Sequence, residues 1–209
     1  MTMNKGRQNL ILDPGRAWCE FIRDRVKPGW MEDSGEISAD LPLSKRELFG
    51  LILLAALRNH QNETDDWCVG YDPADPEPND GFVSDGATKQ QAEHKLVPQM
   101  AKKDPLDEIL STYSRFADKG DGYGGGRTLI VYGNKSSVGM IPVSNLRNRI
   151  RDESPFEEVL LMHLAAWREP GKVAVFHVTQ HYPSLGLAEI EFDLTTGAAN
   201  VSTCNIPAR

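Results

Sequence analysis

The segment Asp80–Val97, which reads DGFVSDGATKQQAEHKLV, decides how this chain is interpreted. Two short runs in it, Gly81–Ser84 and the alternating Gln91–Val97, are predicted β-strands, and Asp85-Gly86 between them is a strong hairpin-turn signal. Asp80 stands where a proline-rich loop enters the first strand, and Glu93 lies on the second strand. Because the strands of a hairpin are neighbours, we expect Asp80 and Glu93 to lie close together.

Side-chain alternation along the second predicted strand, Gln91–Val97, places Glu93 and Lys95 on one face and His94 on the other. The rise of a strand separates Glu93 from Lys95 by about 7 Å. Carboxylates hold hard cations such as Mg²⁺, which can activate water and stabilise charge on phosphorus, and a nearby lysine can orient that water. The pattern therefore predicts a site for metal-dependent phosphodiester hydrolysis.

An acidic residue before one strand, followed by an acidic-x-lysine triplet on the next, resembles the PD-(D/E)xK superfamily of nucleases. Asn79-Asp80 stands where that family has Pro-Asp, with Asn in place of Pro, and Glu93-x-Lys95 matches the triplet. The resemblance covers about Ser44 to Tyr132, in the order helix, strands with the motif, helix, strand. It implies an α/β fold with a central mixed β-sheet flanked by helices and a restriction-endonuclease-like core.

The resemblance also implies an activity and roles for particular residues. The activity is that of a Mg²⁺-dependent endonuclease, on DNA rather than RNA, with restriction or phage defence as the setting and Mn²⁺ as a substitute ion. Asp80 and Glu93 would ligate the metal, and Lys95 would assist the attacking water. Glu47 and Gln99 are accessory candidates. Glu47 has a competing interpretation, which we favour, as the partner of Ser44 in a helix capping box.

The rest of the sequence predicts helices and strands around this centre. Leu48–Leu57 is apolar on nearly every side, which is typical of a buried helix. We divide the chain into an N-terminal extension, 1–43, packed on the core, and a single nuclease-like α/β domain, 44–209. The other predicted helices are Ala17–Val26, Asp107–Asp118, Val143–Arg151 and Ser154–Trp167, the last with His163 as a core histidine. The other predicted strands are Asp66–Tyr71, Thr128–Tyr132, Val173–Thr179 and a hairpin of Leu187–Leu194 with Ala198–Val201.

The net charge of −7 disfavours a protein that coats DNA generally, since an acidic protein repels the phosphate backbone at long range. Nucleic acid would then be held by local basic groups, and targeting would need a homodimer or a partner protein. Candidate contacts are Lys119 and Arg127 at the ends of a glycine-rich segment and the basic group Arg147, Arg149 and Arg151. This basic group could equally be a solvated surface.

The cysteines and the hydropathy indicate the cellular compartment of the protein. Cys19, Cys68 and Cys204 are widely spaced and odd in number, which favours a reducing compartment. The longest apolar run, Leu48–Leu57, is ten residues, half the length of a membrane span. We therefore expect a cytoplasmic protein with no membrane contact.

Two other functions fit the same residues. The chain could be a non-catalytic binding or assembly subunit with a nuclease-like fold, in which Glu93 and Lys95 are merely exposed on an edge strand and Asp80 only forms a turn. It could also be a hydrolase that binds metal through an acidic loop, although that loop is as readily explained as solvated surface. The residues of the acidic loop are Asp65, Asp66, Asp72, Asp75, Glu77 and Asp85.

Overall fold

The computed structural model describes residues 10–25, 30–31, 43–71, 81–97, 106–111, 126–133, 143–151 and 155–206. These residues form one nine-stranded sheet in which the strands lie in chain order. The strands are β1 (Leu10–Leu12), β2 (Cys68–Tyr71), β3 (Phe82–Ser84), β4 (Lys89–Val97), β5 (Arg127–Gly133), β6 (Glu158–Glu169), β7 (Val173–Tyr182), β8 (Gly186–Asp193) and β9 (Ala199–Cys204). The helices are α1 (Pro14–Phe21), α2 (Leu43–Gln61), α3 (described over 106–111) and α4 (Val143–Arg151).

The sheet is mixed. Strands β1 to β4 are antiparallel, β4, β5 and β6 are parallel, and β6 to β9 are antiparallel again. A parallel pair needs a crossover connection, and helices α3 and α4 lie in the two crossovers, before β5 and before β6. The predicted α/β class with a central mixed sheet flanked by helices is therefore confirmed.

Helix α2 is buried on all sides, as its apolar composition predicts. Leu48, Phe49 and every residue of Leu51–Leu57 are less than a tenth exposed. The helix shares one large hydrophobic cluster with α1 and with one face of the sheet. Within that cluster, the Trp18 ring of α1 packs edge-on against Phe192 of β8. The burial of α2 fixes its position against β4.

The opposite face of the sheet carries a smaller cluster around helices α3 and α4. Alternate residues of β5 divide between the two faces, with Ile130 in the larger cluster and Leu129 and Val131 in the smaller one. Ile109 of α3 and Leu146 of α4 complete the smaller cluster. The sheet is therefore a middle layer, with α2 on one side and α3 and α4 on the other.

The predicted helix Ser154–Trp167 is wrong, because residues 158–169 form strand β6. This strand lies between β5 and β7, and Glu158–Leu164 is buried on both faces of the sheet. A strand buried on both faces has no alternation of polar and apolar residues, so its sequence cannot be told from a buried helix by periodicity. His163 is a buried residue, but it lies on this strand and its ring contacts that of His177.

Two predicted helix starts also differ from the structure. Helix α1 begins at Pro14, where Asp13 caps it by accepting a hydrogen bond from the Arg16 backbone N–H at 2.9 Å, and it ends at Phe21. Helix α2 begins at Leu43, so Ser44 lies inside the helix and the predicted capping box does not describe its start. Helix α4 has the predicted bounds, and the terminal hairpin is confirmed, with Gly197 in its turn at φ 77°.

None of the described helices has the length and apolar character needed to cross a membrane.

Candidate functional site

The motif residues Glu93 and Lys95 lie on β4 just beyond the end of β3. The last pair between these strands is Phe82 with Gln91, and the Ala92 N–H then donates to the Gly81 carbonyl at 3.3 Å. Asp80 lies outside the described residues, as do the candidates Gln99 and Lys119. Gly81, the first described residue before β3, therefore lies beside the part of β4 that carries Glu93.

Glu93 is buried and forms an ion pair. Only 4% of its surface is exposed, and its Oε1 accepts a hydrogen bond from Arg127 Nη1 at 2.5 Å. Arg127 begins β5, where the parallel register sets it opposite Gln91, two residues before Glu93. The structure thus places Glu93 away from solvent. Arg127, a candidate contact for nucleic acid, is engaged with this carboxylate.

Lys95 is two residues further along β4 and also forms an ion pair. Its Nζ donates to Glu108 Oε2 of α3 at 3.2 Å, and the lysine side chain is 17% exposed. His94, between the two motif residues, lies on the other side of the strand against Gly50 of α2. Strand β4 therefore divides its side chains between the faces of the sheet as the alternation predicts.

Glu47 of α2 is a second buried carboxyl group near Glu93. It is 8% exposed, and its pKa is raised to about 7, first because burial disfavours the charged form and second because the Glu93 carboxylate lies nearby. Arg46 opposes this rise. The interpretation of Glu47 as a helix cap did not anticipate its burial or the effect of the Glu93 charge, since a local motif carries no information on how the chain packs.

A small cavity of about 30 Å³ separates this part of α2 from β4 and β5. Glu47 and Gly50 line it from α2, His94 and Lys95 from β4, and Tyr132 from β5. Burial lowers the pKa of His94 to about 3 and raises the pKa of Tyr132. The two ring nitrogens of His94 are buried, and no described residue hydrogen-bonds either of them.

Glu93 is the described carboxylate that the motif assigns to a metal ion. Mg²⁺ prefers oxygen ligands, keeps several waters and takes one or two carboxylates from the protein, so the Glu93 carboxylate is the type of ligand that suits it. Among the described residues, no group of three His, Cys, Asp or Glu side chains is arranged for a metal. A second protein ligand would come from outside them, and Asp80 is the candidate.

The other predicted contacts with nucleic acid lie on α4. Arg147 is partly buried. The pKa of His181 on β7 is lowered to about 4, first by burial and second by the positive charge of Arg147. Arg149 and Arg151 belong to the same helix, and their side chains lie outside what the structure describes. His181 is in β7 and is 3% exposed.

Part of the alternative acidic loop has a structural role. Asp85 accepts hydrogen bonds from the backbone N–H groups of Ala87 and Thr88, at 3.0 and 2.6 Å, and so holds the β3–β4 turn. Asp65 and Asp66 are exposed, and Asp66 accepts a hydrogen bond from the Thr64 hydroxyl. Asp72, Asp75 and Glu77 lie outside the described residues.

A buried polar network, which no sequence pattern predicted, lies at the amino-terminal ends of the parallel strands. Arg58 of α2 forms an ion pair with Glu158 of β6, and the two side chains are 1% and 0% exposed. Thr128 and Gln180 donate hydrogen bonds to the same carboxylate, each at 2.8 Å, and Gln90 of β4 accepts one from Arg58 at 2.9 Å. The network ties α2 to β4, β5, β6 and β7 and so fixes the strand that carries Glu93.

Comparison of the chain with models of known protein families gave no match. Comparisons with curated proteins and with solved structures gave no significant match either.

Proposed function

We propose that this chain is a Mg²⁺-dependent endonuclease that hydrolyses phosphodiester bonds, with DNA as the preferred substrate over RNA. One observation carries the proposal. Glu93 and Lys95 occupy the same side of β4, and the neighbouring Ala92 hydrogen-bonds to Gly81 at the start of β3. This arrangement supports the acidic-x-lysine part of the motif, which Asp80 would complete.

The state of Glu47 supports a cation at this place. The pKa of Glu47 is raised first by burial and second by the negative charge of Glu93, and a cation bound at Glu93 would relieve the second cause. Glu93 would hold Mg²⁺ together with Asp80. When bound, the ion would supply Lewis acidity and a more acidic water.

The remaining roles belong to side chains of this chain. Arg127 holds the Glu93 carboxylate in place through its ion pair. Lys95 would release Glu108 to orient the attacking water or to stabilise negative charge on the phosphate. The order of α2, strands β2 to β4, α3 and β5 is the order that the resemblance implies, and it supports a restriction-endonuclease-like core as part of the proposal.

The substrate would be bound by local basic residues, since the protein as a whole is acidic. Arg147, Arg149 and Arg151 on α4, with Lys119, supply the positive charge that phosphates require. Since the net charge is −7, a homodimer or a partner protein would add the remaining affinity and the targeting. Restriction or phage defence in the cytoplasm is the setting that this proposal implies.

A binding or assembly subunit is the second candidate, and one observation favours it. Glu93 is paired with Arg127 and Lys95 with Glu108, so each motif residue already has a partner within the fold. Such pairs would stabilise a charged strand in a protein without catalysis. The two functions therefore differ in whether these ion pairs open to receive a metal and a phosphate.

Cleavage assays separate the two candidates. Plasmid, single-stranded DNA and RNA would be incubated with the protein in Mg²⁺, Mn²⁺ or EDTA, with Asp80→Asn, Glu93→Gln and Lys95→Met as test variants. Lys89→Met is the matched control, because Lys89 is an exposed lysine on the same strand. We expect metal-dependent cleavage that each test variant lowers by about 100-fold or more, while Lys89→Met retains it. Equal cleavage by all variants would refute the site, and no cleavage of any substrate would favour the assembly subunit.

A further inference from the structure

The imidazole of His94 is a polar group for which the proposed chemistry has no use. Its two nitrogens are buried, and none of the described residues hydrogen-bonds them. A buried donor or acceptor without a partner costs about 1–3 kcal/mol, so native proteins pair such groups with protein atoms or with ordered water. A histidine between Glu93 and Lys95 therefore calls for a partner that the surrounding side chains do not supply.

The space beside this ring is shaped for the imidazole. A Cβ atom on Gly50 would fall 2.7 Å from His94 Nε2, so the absence of a side chain at position 50 lets the ring lie against α2. Glu47 precedes Gly50 by three residues, nearly one helical turn, so both positions face β4. The cavity of about 30 Å³ lies among these three residues.

The volume of the cavity and the chemistry of its lining match water. One water molecule needs about 10–15 Å³ of cavity space, so a cavity of about 30 Å³ can hold one or two water molecules. A neutral imidazole offers one donor and one acceptor, and a carboxyl group offers acceptors and, when protonated, a donor. A water between them can donate to one group and accept from the other, which satisfies one ring nitrogen of His94 whichever tautomer it adopts.

We infer that His94 is a positioning residue that holds the carboxyl group of Glu47 through one or two water molecules bound in this cavity. The charged and titratable groups around that carboxyl group are Arg46 on α2, Glu93 and Lys95 on β4, and Tyr132 on β5. Of the residues that line the cavity, His94 is the one with both polar atoms left to bind water. The inference rests on the proposed function only where it gives Glu47 an accessory role in the site. Its test requires neither a cleavage assay nor a bound metal.

The test is an NMR measurement on metal-free protein labelled with ¹⁵N. We expect a magnetisation-transfer contact between the His94 ring N–H and a long-lived water. Glu47→Leu should abolish that contact and change the ¹⁵N shifts of the ring. Glu63→Leu, which alters an exposed carboxylate just beyond α2, should leave both unchanged. Gly50→Ala is a second route, because its methyl group would occupy space beside Nε2 and should remove the water while Glu47 remains.

Two results would overturn the inference. One is a wild-type protein in which the His94 ring has no contact with bound water. The other is a Glu47→Leu protein that folds and leaves the water contact and the ring shifts as they are. Loss of cleavage activity or of metal binding would not affect either readout, so failure of the proposed function remains distinguishable from failure of this inference.

Discussion

Replacing Glu47 by glutamine should stabilise the protein at high pH and leave it unchanged at low pH. The folded-state pKa of Glu47 is raised from 4.5 to about 7, so the folded state binds this proton more tightly than the unfolded state does. The stability that goes with the bound proton is complete below about pH 4.5 and is lost as the pH rises through 7. At 1.36 kcal/mol per pKa unit, with allowance for solvent screening, the loss by pH 8 is about 2–3 kcal/mol.

Glutamine has the shape of the protonated carboxyl group and cannot ionise, so Glu47→Gln removes that loss. Urea unfolding followed by tryptophan fluorescence, in EDTA, should show the variant more stable than wild type by about 2 kcal/mol at pH 8 and by less than about 1 kcal/mol at pH 5. Glu63→Gln, at an exposed position, should have no such pH dependence. An equal effect of Glu47→Gln at pH 5 and pH 8 would refute a buried, charge-coupled Glu47.

Three further predictions concern Glu47, Gly81 and the ion pair of Arg58 with Glu158. Mg²⁺ affinity, measured by calorimetry, should rise as the pH increases through 7 and level off above it, because ionisation of Glu47 adds negative charge near Glu93. Gly81→Ala should lower the free energy of unfolding by about 1–3 kcal/mol in urea titrations, since its methyl group would lie 2.3 Å from Leu51 and 2.8 Å from a backbone carbonyl of β2. Arg58→Met should lower it by about 3–5 kcal/mol, seen as a fall in Tm, because Glu158 would stay buried without its cation.

Local sequence signals were sufficient for the centre of the fold. The Asp85-Gly86 turn and the alternation of Gln91–Val97 predicted a hairpin, and the structure has β3 and β4 there in antiparallel register. The uniformly apolar Leu48–Leu57 predicted a buried helix, which is α2. In each case the physical cause, turn chemistry or burial on all sides, acts within a few residues and leaves its mark on the local sequence.

Other features depend on partners far away in the chain, and the sequence could not predict them. Glu158–Leu164 is a strand only because β5 and β7 lie on either side of it. Arg58 and Glu158 meet across 100 positions, and neither has a local pattern that announces an ion pair. Glu47 looked like a helix cap because Ser44 is three residues away, whereas its burial and its raised pKa arise from the packing of α2 on the sheet.

The binding of Mn²⁺ to the metal-free protein at pH 8 tests the proposed centre most directly. Electron paramagnetic resonance of free Mn²⁺ would give the number of ions bound, and addition of Mg²⁺ would show whether the two ions compete. We predict at least one Mn²⁺ site per chain that Mg²⁺ displaces, and at least tenfold weaker binding in Glu93→Gln but not in Lys89→Met. A wild-type protein that binds no Mn²⁺, or a Glu93→Gln protein that binds it equally well, would contradict a metal centre at the Glu93 carboxylate.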